Sequence, residues 1–232
     1  MTNNSCTNLI RVAVSFSLKQ GGEKFSYAVG HLAFGYISGR TSARLLKTNI
    51  NIPLLLTMSI LPDIDILFRP FIEHRGLTHS VFMAILVFAP VFAIHRKKAV
   101  PYFIALIQHS LIGDFIGGNG PQLFWPVTTM SYGATIDMTG PLNSLIESSM
   151  FILAIIVMWK TKDWIVFFKP ETLNLILMIP AFTVLLPLVP RIPLSVPIWL
   201  VLPHFILATL FSLAILAAIF KLVETGFKSK TV

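Results

Sequence analysis

The stretch PIWLVLPHFILATLFSLAILAAIF, residues 197–220, carries no Asp, Glu, Lys or Arg. Wound as a helix rising 1.5 Å per residue, a run of that length crosses the ~30 Å hydrocarbon core of a bilayer. Further apolar runs recur at roughly 27–45, 50–68, 77–94, 99–116, 141–159 and 173–190. None has the alternating ten-residue pattern of a membrane β-barrel. Of the 232 residues 55% are hydrophobic and only 12% charged. The expectation is therefore an all-α, polytopic helical membrane protein with about seven transmembrane spans, and not fewer than five.

Charge orients these spans. Arg40 and Arg44 lie in the last turns of the first and Lys47 between the first two; Arg96, Lys97 and Lys98 follow the third. Lys160, Lys162 and Lys169 follow the fifth, and Lys221, Lys228 and Lys230 the last. Seven spans put all four clusters on one side, which the positive-inside rule makes cytoplasmic. Arg11, Lys19 and Lys24 would then lie outside, against the rule. The net charge of +8 is explained by these loops. No basic stretch is interleaved with stacking aromatics, so nucleic acid is not expected as a partner. The single cysteine, Cys6, excludes an intrachain disulfide and a Cys-based zinc cluster. Residues 9–18 (LIRVAVSFSL) are apolar but short, and no clear cleavage site follows. The chain divides into an N-terminal extension (1–24), a membrane-embedded core (25–140) and Pro-rich C-terminal helices (141–232).

The seven-span topology gathers ionisable groups on the outer face. His31 falls near the outer end of span one, and Asp63 and Asp65 near that of span two. His74 and His79 precede span three, and His109 and Asp114 lie toward the outer end of span four. Ionisable groups inside a membrane are costly and mark function by default. In LPDID (61–65), Pro62 cannot continue a helix cleanly. An extended chain after it would point Asp63 and Asp65 the same way; the alternative is two solvated headgroup carboxylates. In HRGLTHS (74–80), Gly76 permits a tight turn and Thr78 or Ser80 can cap span three. Its two histidines, near two aspartates, suit zinc, manganese or iron ligation, or an acid–base pair. Arg75 can fork onto a phosphate or carboxylate.

In QHSLIGDFIGGNG (108–120), His109 and Asp114 stand about 140° apart on a regular helix. A local bulge at Gly113 would bring them together; otherwise Asp114 orients a ligand histidine. Asp137 and Glu147 are possible extra ligands. His95 adjoins a basic turn and His204 has no carboxylate near it in sequence, so neither is expected to ligate.

The order His31, LPDIDIL, HRGLTHS, His109/Asp114 and FWP resembles the YdjM-like family over about residues 27–130. That family comprises prokaryotic inner-membrane proteins described as LexA-binding and predicted to be metal-dependent hydrolases. It is distantly similar to zinc-dependent phospholipase C and single-strand nucleases. The resemblance implies a metal site built from His31, Asp63, Asp65, His74, His79, His109 and Asp114. Those enzymes have His-x3-Asp where this chain has His-x4-Asp.

The leading expectation is a multi-pass enzyme of the inner (cytoplasmic) membrane, its site on the extracytoplasmic face. It would hydrolyse a phosphoester in a lipid or lipid-linked substrate. A divalent metal, zinc before manganese or magnesium, would be the cofactor. Asp63 or Asp65 would bridge ions or act as base; Arg75 would steady the phosphate and Thr78, with Ser80, would position it. The alternatives are a proton- or ion-coupled transporter and a non-catalytic membrane scaffold with a structural metal. A LexA interaction does not follow from the residues.

Overall fold

A computed structural model describes residues 27–68, 71–186 and 196–230, with side chains up to 226. The extension 1–24, with its three basic residues, and Arg191 lie outside it. The fold is helical. The long elements are α1 (Ala28–Leu45), α2 (Ile52–Ile60), α3 (Val81–His95), α4 (Val100–Gln108), α5 (Pro141–Thr161), α6 (Met178–Leu185) and α7 (Ile198–Lys230). Among the described residues the nearest thing to a sheet is one bridge between Gly117 and Ile136.

Helix α1 is the hub, packed on α2, α4 and α5. Val29, Leu32 and Tyr36 of α1 join Leu55 and Ile60 of α2 and Ala105 of α4 in the buried core. Small residues let the backbones close up. A Cβ on Gly35 would run into the Ser59 side chain, so α1 and α2 touch almost backbone to backbone. The far end of α1 is fastened by polar bonds. Tyr36 donates to Asp163 Oδ2 at 2.8 Å, and Arg40 Nε meets the same oxygen at 2.9 Å.

Seven spans are not supported. Among the described residues two helices are long and apolar enough to cross a membrane: α5 and, within α7, Ile198–Gly226. Only 33% and 28% of their most apolar windows are buried, so most of that apolar surface faces outward, as a lipid-facing helix requires. The other expected runs fall short for local reasons. Residues 28–45 form a helix, but Arg40, Thr41 and Ser42 dilute it. The run 50–68 stops being α-helical at Ile60; Pro62 has no N–H to continue the ladder, and Leu61–Phe68 winds as a 3-10 helix. Helix α3 has 15 residues, about 22 Å at 1.5 Å each, less than a ~30 Å core. Val100–Ile116 is a shorter apolar helix, and the described part of the run 173–190, up to residue 186, is a 3-10 turn, Thr172–Leu177, followed by α6.

Candidate metal centre

Three separate stretches supply the polar core. The 3-10 helix after α2 brings Asp63 and Asp65; the 3-10 turn Leu77–His79 brings His79; the end of α4 brings His109 and Asp114. The expected extended run after Pro62 is not what forms. In a 3-10 helix, residues two apart do not share a face, and the two aspartates part company. They meet opposite nitrogens of one ring: Asp63 Oδ1 lies 3.4 Å from His79 Nε2, and Asp65 Oδ2 lies 3.3 Å from His79 Nδ1.

His109 and Asp114 do come together, by the bulge at Gly113. Residues His109–Gly113 form a π-helical turn, and the Asp114 N–H donates to the His109 carbonyl five residues back. That wider turn stacks positions five apart, which an α-helix would splay. His109 Nε2 is then 3.4 Å from Asp114 Oδ2 and 3.3 Å from Asp63 Oδ1. His79 Nε2 is 3.0 Å from Asp114 Oδ2. Asp63, His79, His109 and Asp114 each offer one atom to a group whose members all lie within 4.8 Å of one another, and all four are buried. Asp65, His74 and His79 form a second, smaller group of the same kind.

Hydrogen bonds fix which nitrogens face inward. His109 Nδ1 is 2.9 Å from the Ser59 carbonyl, which can only accept; Nδ1 therefore carries the proton and donates. Thr78 Oγ1 donates to Asp65 Oδ2 at 2.8 Å, which leaves it to accept from His79 Nδ1 at 3.0 Å. His74 Nδ1 donates to Asp65 Oδ1 at 2.9 Å. Both inward Nε2 atoms, and Asp114 Oδ2, are close to charged neighbours yet directed into no hydrogen bond. A bare lone pair facing a carboxylate is repulsive, and a cation between them removes the conflict.

Charge counting points the same way. Asp63, Asp65 and Asp114 are buried, and among the described residues one fixed cation bonds to them: Arg75 donates to Asp114 Oδ1 at 2.8 Å. Two carboxylates remain to be balanced, and unpaired buried charge costs several kcal/mol. A divalent ion would supply that charge, and the four buried donors could hold one. The backing contacts from the Ser59 carbonyl and Asp65 are those that orient ligand histidines.

The remaining expected residues take other places. His31 is buried and stacked on His109, centroids 3.8 Å apart; its Nε2 is 3.9 Å from Asp114 Oδ1, outside the four-donor group. Arg75 is held by Asp114 and has φ +65°, so the turn's left-handed position falls on Arg75 and not on Gly76. Ser80 caps α3, accepting from the Met83 N–H. Glu147 is buried and accepts from Asn143, and Asp137 accepts from Thr139; neither joins a ligand group. His204 Nδ1 donates to the Leu200 carbonyl within its own helix.

The loop 117–140 closes over HRGLTHS. Gln122 N–H donates to the Arg75 carbonyl at 2.8 Å, and Ser80 Oγ to the Trp125 carbonyl at 2.7 Å. Between them lies a polar cavity of about 340 Å³, walled by His74, Arg75, Asn119, Gln122 and Asp137 among others. Gln122 and the Ser59 carbonyl were not foreseen; a backbone carbonyl leaves no mark in a side-chain pattern.

No curated protein and no solved structure matches the chain. The model of one family, the YdjM inner membrane proteins, matches residues 27–225. That stretch holds the whole His–Asp centre and both bilayer-length helices, and this chain belongs to the YdjM inner membrane protein family.

Proposed function

We propose that the chain is a membrane-bound, metal-dependent hydrolase of phosphoesters carried by lipids or lipid-linked molecules. One observation carries the proposal: four buried donors from three distant segments converge, with their inward nitrogens bare and their outward ones tied back. Asp63, His79, His109 and Asp114 would hold the ion, zinc first, with manganese or magnesium as alternatives. Such an ion supplies Lewis-acid chemistry, polarising a phosphoryl oxygen and acidifying water. Asp65 keeps His79 in the tautomer that presents Nε2. Arg75 holds Asp114 and also lines the polar cavity, where its guanidinium would steady a phosphoryl oxygen. The cavity would receive the headgroup. We further propose a multi-pass arrangement with the cavity on the extracytoplasmic side.

A second reading, a structural ion, is favoured by the donor count, since four buried ligands are what a closed tetrahedral site uses. One comparison separates the two. Metal-loaded protein in detergent is given a chromogenic phosphodiester and a phospholipid. Turnover that disappears with chelator, returns with zinc and drops at least a hundredfold in Arg75→Lys, which keeps the charge beside Asp114 and loses the fork, supports the hydrolase. Chelation that lowers the melting temperature without any measurable turnover in the loaded protein supports the structural ion.

A further inference from the structure

The polar cavity is not the only one beside the centre. Asp63, whose side chain is 10% exposed, also forms the wall of a second cavity of about 150 Å³. Its other walls are Ile64 and Leu67 from the 3-10 helix and Met178, Ile179 and Phe182 from α6. Apart from Asp63, Thr183 is its one polar lining residue. The two cavities share no lining residue. Leu67, Met178 and Phe182 are 54%, 59% and 43% exposed, so the crevice opens on an apolar surface and not on a polar loop. The polar cavity reaches the centre through His74 and Arg75, which touch Asp65 and Asp114; the apolar one reaches it through Asp63.

We infer that the crevice between the 3-10 helix and α6 receives an alkyl chain of the substrate, so that an amphiphile is bound across the centre. Its phosphate would sit by Arg75 and its chain against Ile64, Leu67, Ile179 and Phe182. Three features single out an alkyl chain as occupant. The lining is apolar apart from Asp63 and Thr183. The crevice is continuous with a candidate ligand. The protein belongs to a membrane family, whose surroundings supply such chains. The inference rests on the metal-centre reading of the proposed function, and it adds which residues select the substrate.

The test is a binding measurement on the full chain in detergent. The protein is loaded with cobalt in place of zinc, so that an anion arriving at the centre changes the visible spectrum. Inorganic phosphate and hexyl phosphate are titrated separately. Burying even two methylenes is worth about tenfold in affinity, so hexyl phosphate is expected to bind at least about tenfold tighter. Met178→Trp and Leu67→Trp change exposed residues at the crevice mouth. Each is expected to bring the hexyl-to-phosphate ratio down toward one, with cobalt content at the wild-type level. Equal affinities of the wild-type protein for the two anions overturn the crevice inference and leave the metal reading standing. So does a preference that survives both tryptophans. Failure to take up cobalt at all overturns both.

Discussion

A methyl group added at Gly113 tests the packing that builds the centre. The Cβ of Gly113→Ala would fall on Nδ1 and Cε1 of the His31 ring. That ring cannot slide away freely, because it is stacked on His109 and buried in α1. Forcing an extra carbon into such a site costs about 1–3 kcal/mol. Replacing a helical glycine with alanine gives back roughly 0.5–1 kcal/mol. The net expectation is a loss of about 1–2 kcal/mol. Removing the ring should reverse the sign: in a His31→Ala background, Gly113→Ala becomes neutral or stabilising. The double-mutant cycle then yields a coupling energy of about 2 kcal/mol, read from denaturant unfolding in detergent followed by far-UV circular dichroism. A coupling near zero would refute the proposed contact between α1 and the π-turn, and with it the explanation of why position 113 is glycine.

Other substitutions should separate the layers of the centre. His79→Ala and Asp63→Ala remove donors and should abolish stoichiometric binding, whereas Asp65→Asn, which acts through His79, should weaken it about 10–100-fold in a chelator competition. Burial works against the charged rings, but the surrounding carboxylates raise His79 above the usual imidazole range and His109 to about 9. Ligand imidazoles must be unprotonated, so apparent metal affinity should fall as pH drops below about 9, read by the same competition at a series of pH values; an affinity flat from about pH 9 to about 5 would exclude histidine ligation. Tyr36→Phe removes the bond to Asp163 far from the centre. It should cost about 1 kcal/mol in unfolding while leaving metal content unchanged.

The sequence was legible where chemistry is carried by residue type. His79, His109, Asp63 and Asp114 stand out as polar groups in apolar runs. Helix geometry left two readings for His109 and Asp114, a bulge at Gly113 or an Asp114 that only orients a histidine, and the π-turn decides for the bulge. Hydropathy was less informative about length. A window over 50–68 cannot see that Pro62 ends the α-helix, nor that 173–190 is broken near Met178, so it counts spans where the chain forms short helices and 3-10 turns. Divergence of Asp63 and Asp65 was hidden for the same reason: extended and 3-10 backbones place residues two apart differently. The bond from Arg75 to Asp114 joins positions 39 apart, and nothing in local spacing signals it.

The central claim is that Asp63, His79, His109 and Asp114 form a metal-binding centre. The most direct measurement is metal content by mass spectrometry of protein purified in detergent at pH 8, beside His109→Ala and Asp114→Ala. About one or more zinc or manganese per wild-type chain is expected, with loss from both variants while circular dichroism shows them folded. A folded wild-type protein that holds no metal even after reconstitution with excess zinc, manganese or magnesium would contradict it.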